Sequence, residues 1–296
     1  MATAEAVSQP AGVPSQKGLG ATLLSFVREK PLGAAGGIIL VFMVLVALVG
    51  PLVAPADPLT TNVMGRLAPP SSQHLLGTDE LGRDLLSRLI YGARVSMLVG
   101  VLATVLGSGI GALLGIVSGY LGGRVDMVVQ RFMDVLMAFP PLVLALALMA
   151  VMGPSVPNVI VAISVAFLPR ANRVVRAAAL AVKELQYIEA ARAVGATRAR
   201  IIFVHVVPNC LASYLIIASV LLGASILVEA SLSFLGLGVP PPHPSWGRSL
   251  SESMQYFRQG AWLAIFPGIA ISLAVFGANL FGDALRDMWD PRLKRL

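Results

Sequence analysis

Side chains able to do chemistry are sparse in this 296-residue sequence and do not converge on one centre. His74, His205 and His243 stand singly in polar stretches, and Cys210 is the only cysteine. That excludes an intrachain disulfide and a thiolate metal centre, and it leaves the histidines ordinary polar roles. No GxxxxGK[ST] phosphate loop occurs, so the chain carries no site of that kind for a nucleotide. What remains is the chemistry of recognition, concentrated in "EAARAVGATRARIIFVHVVP", Glu189 to Pro208. Glu189 is read as the start of a short helix in which Ala190, Ala191 and Ala193 present almost no side chain. Gly195 breaks it; Ile201, Ile202 and Val204 resume as a helix that Pro208 ends. A bare alanine face permits close approach, and Arg192, Arg198 and Arg200 can pair with carboxylates or phosphates. The residues alone allow either docking of another protein or an interfacial helix resting on lipid.

The segments around this stretch are overwhelmingly apolar. Hydrophobic residues make up 56% of the chain and charged residues 12%, against about 45–50% and about 25% in soluble domains. The sequence is therefore that of an integral membrane protein. Six runs are long enough to cross a bilayer core of about 30 Å: 32–53, 96–118, 132–152, 157–177, 211–235 and 261–282. The first is a retained signal anchor, because prolines stand where a cleavage site needs small residues. The turn "GPSVP" makes the third and fourth runs an antiparallel hairpin, and Pro140 and Pro141 are expected to kink the third. Pro169 and Arg170 bring the inner end of the fourth run early into water. Gly100, Gly107, Gly111 and Gly115 give the second run small residues at a four-residue spacing, which suits close helix packing.

Sixteen of the 22 Lys and Arg residues fall on the side of the N-terminus and of Glu189–Pro208, and six on the other. The net charge of +7 is thus a topological signal rather than a nucleic-acid footprint, and both termini are expected in the cytoplasm. Arg66, Arg83, Arg88 and Arg94 oppose that orientation but are outnumbered. The resulting organisation is a cytoplasmic tail over 1–31, an anchor over 32–54 and an extracytoplasmic loop over 55–94. A five-helix core over 95–285 then includes the loop 170–208, and a cytoplasmic tail covers 286–296. In the outer loop, Thr78 is expected to cap a helix with Asp79 and Glu80 in its first turn. Leu81, Leu85, Leu86, Leu89 and Ile90 form its apolar stripe along the membrane surface. The last outer loop begins with a stiff proline run and continues with Leu250, Met254 and Phe257 on one helical face, either a surface-lying loop or a docking face or gate.

Polar groups in or near the spans are the other candidates. Glu229 lines a substrate path or gate, or makes a structural hydrogen bond. Asp134 is a charge at the start of the third span, favoured there by the helix dipole. Asn279 lies in the last turn of the sixth, and Asp283, Arg286 and Asp287 form local ion pairs beyond it.

In "EAARAVGATRARIIFVHVVP", Glu189, Ala190, Ala191, Gly195 and Pro208 resemble in register the EAA loop of the membrane subunits of ABC importers. His205 and Val207 depart from the Ile and Leu frequent there. "HLLGTDELGRDLLSRLIYGARVS", "ASLSFLGLGVPPPHPSWG" and "NLFGDALRDMWDPRLK" narrow the resemblance to the second of the paired permeases of dipeptide and oligopeptide importers. The resemblance implies an all-α type I importer permease with six transmembrane helices, in a bacterial inner membrane. Glu189, Ala190, Ala191, Arg192 and Gly195 would belong to a coupling helix seated on a cytoplasmic ATPase. Two such ATPases, binding ATP and magnesium, a homologous sister permease and an extracytoplasmic binding protein would be its partners. The binding protein would meet Pro241, Pro242 and Trp246. Glu229, Asp134 and Asn279 would belong to the pathway or its gates. The chain itself would bind no cofactor and catalyse nothing. Related machinery importing nickel chelates or glutathione is the alternative within the class; a self-sufficient secondary transporter or channel is the alternative outside it, but internal repeats of broken helices are not evident.

Overall fold

The computed structural model describes residues 27–289; Lys17, Arg292, Lys294 and Arg295 of the charge count lie outside them. Among the described residues there is no strand, only an isolated bridge between Thr78 and Asp84. The helices are α1 (Pro31–Val53), α2 (Leu85–Leu121), α3 (Gly123–Met137), α4 (Pro141–Met152), α5 (Val156–Lys183) and α6 (Gln186–Ala193). After them come α7 (Arg198–Phe234), α8 (Trp246–Ser253) and α9 (Trp262–Trp289). Five helices are long and apolar enough to cross a membrane, or six if the bent pair α3 and α4 counts as one span.

That pair is where the six-run reading needs correction. Pro140 and Pro141 do interrupt the third run, but the two helices meet at 88°. Residues 132–137 therefore belong to α3, which runs across α5 instead of continuing α4. The 12 residues of α4 reach only about 18 Å. Polar contacts hold α3 down: Arg176 Nε donates to Asp126 at 2.7 Å, and Gln130 donates to Asn172 Oδ1 at 3.1 Å. Asp134 pairs with Arg173 at 2.7 Å and sits near the C-terminal end of α3. It is not an N-terminal charge, so the dipole does not favour it; the arginine does. The hairpin after α4 is as expected. Ser155 caps α5, and Asn158 donates to the carbonyls of Met152 and Gly153 at 2.8 and 3.0 Å. Pro169 lies inside α5, which continues through it to Lys183.

The most extensive helix contact is between α2 and α5, and glycine makes it possible. A Cβ on Gly107 would lie 2.6 Å from the Ser164 carbonyl oxygen, and one on Gly115 would lie 2.6 Å from that of Asn172. Gly111 meets the Leu168 carbonyl in the same row. The two backbones touch along this seam, with the apolar core of α2, α4, α5 and α7 beside it. A second seam carries α1, where Gly36 and Gly277 face each other, while much of the rest of α1, such as Leu48 and Leu52, is exposed for lipid.

Candidate functional site

Two ends of the bundle concentrate polar geometry. At the first, α6 is held by one side chain. Ile188 is completely buried among Ile201, Val206, Val182 and Tyr120, with Ala191 and Ala196 packed alongside. Burying it contributes about 2 kcal/mol, enough to fix so short a helix. Gly195 (φ +83°) closes α6: its N–H donates to Arg192 O, and Ala196 N–H to Ala191 O, both at 3.0 Å. This Schellman arrangement satisfies two orphan carbonyls and brings Ala191 against Ala196. Thr197 then accepts from Arg200 N–H and starts α7.

The helix begins at Gln186, so Glu189 lies in its first turn but does not start it. Pro208 does not end the next helix either. Residues Ile201–Val206 widen into a π-turn, and Pro208 enters at the second position of the α-helical part. The wider turn accommodates a residue without an N–H, so α7 continues to Phe234. Around this frame Ala190, Arg192, Ala193 and Val194 are exposed, Val194 by 84%. Tyr187 is exposed too, and its ring meets that of His205 edge-on at 6.1 Å. Arg192 stacks over Tyr120 at 5.5 Å. Sequence reasoning missed Tyr187, Ile188 and Tyr120. The signal for Ile188 was present, since it falls three residues before Ala191 on one helical face.

At the other end, residues 55–84 and 236–261 fold over the bundle. Asp84, not Thr78, caps α2, accepting from Ser87 N–H and Oγ at 2.8 Å and meeting His74 Nδ1 at 2.9 Å. Thr78 and Leu81 lie in the preceding loop, Thr78 buried and Leu81 exposed, and the rest of the leucine stripe runs from Leu85 straight into the second span as one 37-residue helix. Two of the four arginines that counted against the orientation, Arg83 and Arg88, are paired with carboxylates here, while Arg66 lies over the Tyr256 ring and Arg94 is exposed. Arg83 contacts Asp79 at 2.6 Å and Glu80 at 2.9 Å; Arg88, 2% exposed, reaches Asp79 at 3.2 Å and Glu252 at 2.9 Å. Arg248 binds the other oxygen of Glu252 at 2.7 Å. Burial, with Asp79 beside it, lifts the Glu80 carboxyl above its ordinary range. The cluster therefore clamps the first outer loop and α2 to α8.

Arg88→Ala removes the charged hydrogen bond that joins α2 to Glu252, although Arg83 and Arg248 still hold Asp79 and Glu252, so it should cost about 2–3 kcal/mol. The exposed Arg94→Ala should cost about 0.5 kcal/mol or less. Thermal unfolding of the purified chain checks the contrast, and equal midpoints would remove the clamp.

The other candidates separate. Trp246 is 1% exposed and donates through Nε1 to Leu89 O at 3.0 Å, so it offers no docking face and instead pins α8 onto α2. Pro241 and Pro242 are exposed beside it; Met254 and Phe257 are exposed, while Leu250 packs inward. Glu229 is fully buried within the chain and accepts from Ser233 Oγ at 2.8 Å, the geometry of a structural hydrogen bond. Asn279 lies within α9, which continues to Trp289, on an open groove of about 730 Å³ with Leu227, Ser272 and Phe276. Asp287 pairs with Lys30 at 2.7 Å, tying α9 to the start of α1 rather than to Arg286. No group of His, Cys, Asp and Glu among the described residues could hold a metal.

Residues 111–295 match the family model described as the binding-protein-dependent transport system inner membrane component. Residues 26–70 match the N-terminal transmembrane domain of oligopeptide transport permease C. The dipeptide transport system permease protein of Escherichia coli is 45% identical, covering 91% of this chain and 92% of its own. That of Alkalihalophilus pseudofirmus is 40% identical over 90% and 88%, and a putative peptide transport system permease protein of Brucella suis is 44% identical over 88% and 87%. Helices made for a bilayer, an exposed short helix on one end and these matches along most of its length agree: the chain belongs to the family of binding-protein-dependent transport system inner membrane components.

Proposed function

We propose that the chain is one of two permease subunits of an ATP-driven peptide importer, with α6 as the helix that receives an ATPase. The observation that carries this is the build of α6. One buried isoleucine and a Schellman closure fix it to α7 through apolar packing, while Tyr187, Ala190 and Val194 face outward. A push on α6 is thus delivered to a helix that continues to the opposite end of the bundle, the rigid connection that coupling between two states requires. Two cytoplasmic ATPases would bind ATP and magnesium, and a homologous permease would complete the pathway. An extracytoplasmic binding protein would deliver substrate to the clamped cap, where Pro241 and Pro242 are exposed. Peptides are the favoured substrate because the relatives are peptide permeases by name. In this reading α3 and α4 together count as the third of six spans of a type I fold, in the inner membrane, with both termini cytoplasmic.

Topology is the direct test. In a Cys210→Ala background, Gln255→Cys in the outer loop should label with an impermeant thiol reagent on intact cells. Ala199→Cys, exposed beside α6, should label only after the membrane is opened. The reverse pattern would place α6 away from any cytoplasmic ATPase and overturn the proposal.

A further inference from the structure

Beside α6 the surface between α2 and α7 carries two hollows in line. The first, about 440 Å³, is bounded by Tyr120, Lys183, Arg192 and Arg198, with no carboxylate in its wall. None of its three cations is in an ion pair among the described residues. The second, about 210 Å³, is apolar and lies along the same two helices, between Gly109, Leu113 and Ile116 of α2 and Cys210, Leu211 and Tyr214 of α7. Ile116 and Tyr120 are one turn apart on α2, so the hollows follow one another. From Gly109 to Leu121 the helix rises about 18 Å, close to the depth of one leaflet's hydrocarbon plus its interface.

A cationic pocket without a carboxylate, in line with an apolar groove along the same two helices, has the amphipathic shape of one kind of ligand. We propose that this groove binds an anionic phospholipid, its acyl chain between α2 and α7 and its phosphate among Lys183, Arg192 and Arg198. Arg192, oriented by Tyr120, stands at the rim between the lipid and α6. Charge complementarity selects the headgroup, since a zwitterionic lipid brings a cation of its own into a wall of cations that has no carboxylate to meet it. The lipid would brace α6 from the membrane side.

Native mass spectrometry of the full-length chain, given equal phosphatidylglycerol and phosphatidylcholine, tests this without partners and so independently of the transport reading. The parent should retain phosphatidylglycerol preferentially. Each cation near an anionic headgroup is worth roughly five-fold, so Lys183→Gln with Arg198→Gln should lower the preference roughly 25-fold, while Lys183→Arg keeps it. Gly109→Leu, whose Cβ would meet only Tyr214 Oη at 3.9 Å, should fill the groove and release the lipid from a folded chain. Millimolar inorganic phosphate should not displace it. No preference in the parent, an unchanged preference in the double variant, or displacement by inorganic phosphate would overturn the assignment; the last would make it a phosphate site.

Discussion

Gly195→Pro should abolish ATP-coupled uptake while the span bundle stays folded. Gly195 has φ +83° and donates its N–H to Arg192 O; proline holds φ near −65° and has no N–H. It also disfavours the helical conformation of Val194, the residue before it (φ −84°, ψ 9°). The local cost is about 3 kcal/mol or more, which is roughly a hundred-fold in the population of the closed α6 end. Nothing lies within 4 Å of a Cβ at Gly195, so the damage is confined to backbone conformation. Gly195→Asn, which tolerates left-handed backbone, should therefore keep most of the coupling. Peptide uptake and stimulated ATP hydrolysis by the assembled transporter measure both variants. Parental rates in Gly195→Pro would remove α6 from the coupling path.

The second large effect lies in the glycine seam. A side chain at Gly107 begins 2.6 Å from the Ser164 carbonyl oxygen and 2.8 Å from Ser164 Cα, which are backbone atoms with no freedom to rotate aside. Accommodating leucine means parting α2 from α5 and losing the Ser164 hydrogen bond to Ala103 O at 3.1 Å. Overpacking of this kind costs about 3 kcal/mol or more, a midpoint roughly 10 °C lower in thermal unfolding. Gly109→Leu, two residues along the same helix, has a Cβ that would meet only Tyr214 Oη, at 3.9 Å, so it supplies the control and should unfold near the parent. Equal midpoints for the two would mean that α2 and α5 do not touch through glycine.

Both sites were partly legible in the residues, for a physical reason: glycine spacing and the Glu189–Gly195 pattern are local, and local chemistry is what a sequence displays. The small-residue seam and the break at Gly195 follow directly from them. What the sequence hid depends on packing between distant segments. Thr78, Asp79 and Glu80 look like a helix start, but Asp79 spends its carboxylate on Leu81 N–H, Arg83 N–H and the Arg83 side chain, and Asp84 takes over the cap. Pro208 is a stop signal until a π-turn absorbs it. Arg88 is hidden in the same way, because its partner Glu252 lies 164 residues beyond it. Trp246 looks like a surface group, and Glu229 suits either a pathway or a structural hydrogen bond; their burial in this chain depends on distant segments that the sequence does not display. Pro140 and Pro141 announce a bend, but its angle of 88° is set by the polar contacts of α3 with α5.

That this chain transports only as the driven half of a larger machine is tested most directly in liposomes. With its sister permease, two ATPases and loaded binding protein, it should take up labelled peptide only when ATP is supplied. The chain alone, given a peptide or ion gradient and no ATP, should take up none. Robust uptake by the chain alone would make it a secondary transporter and contradict the assignment.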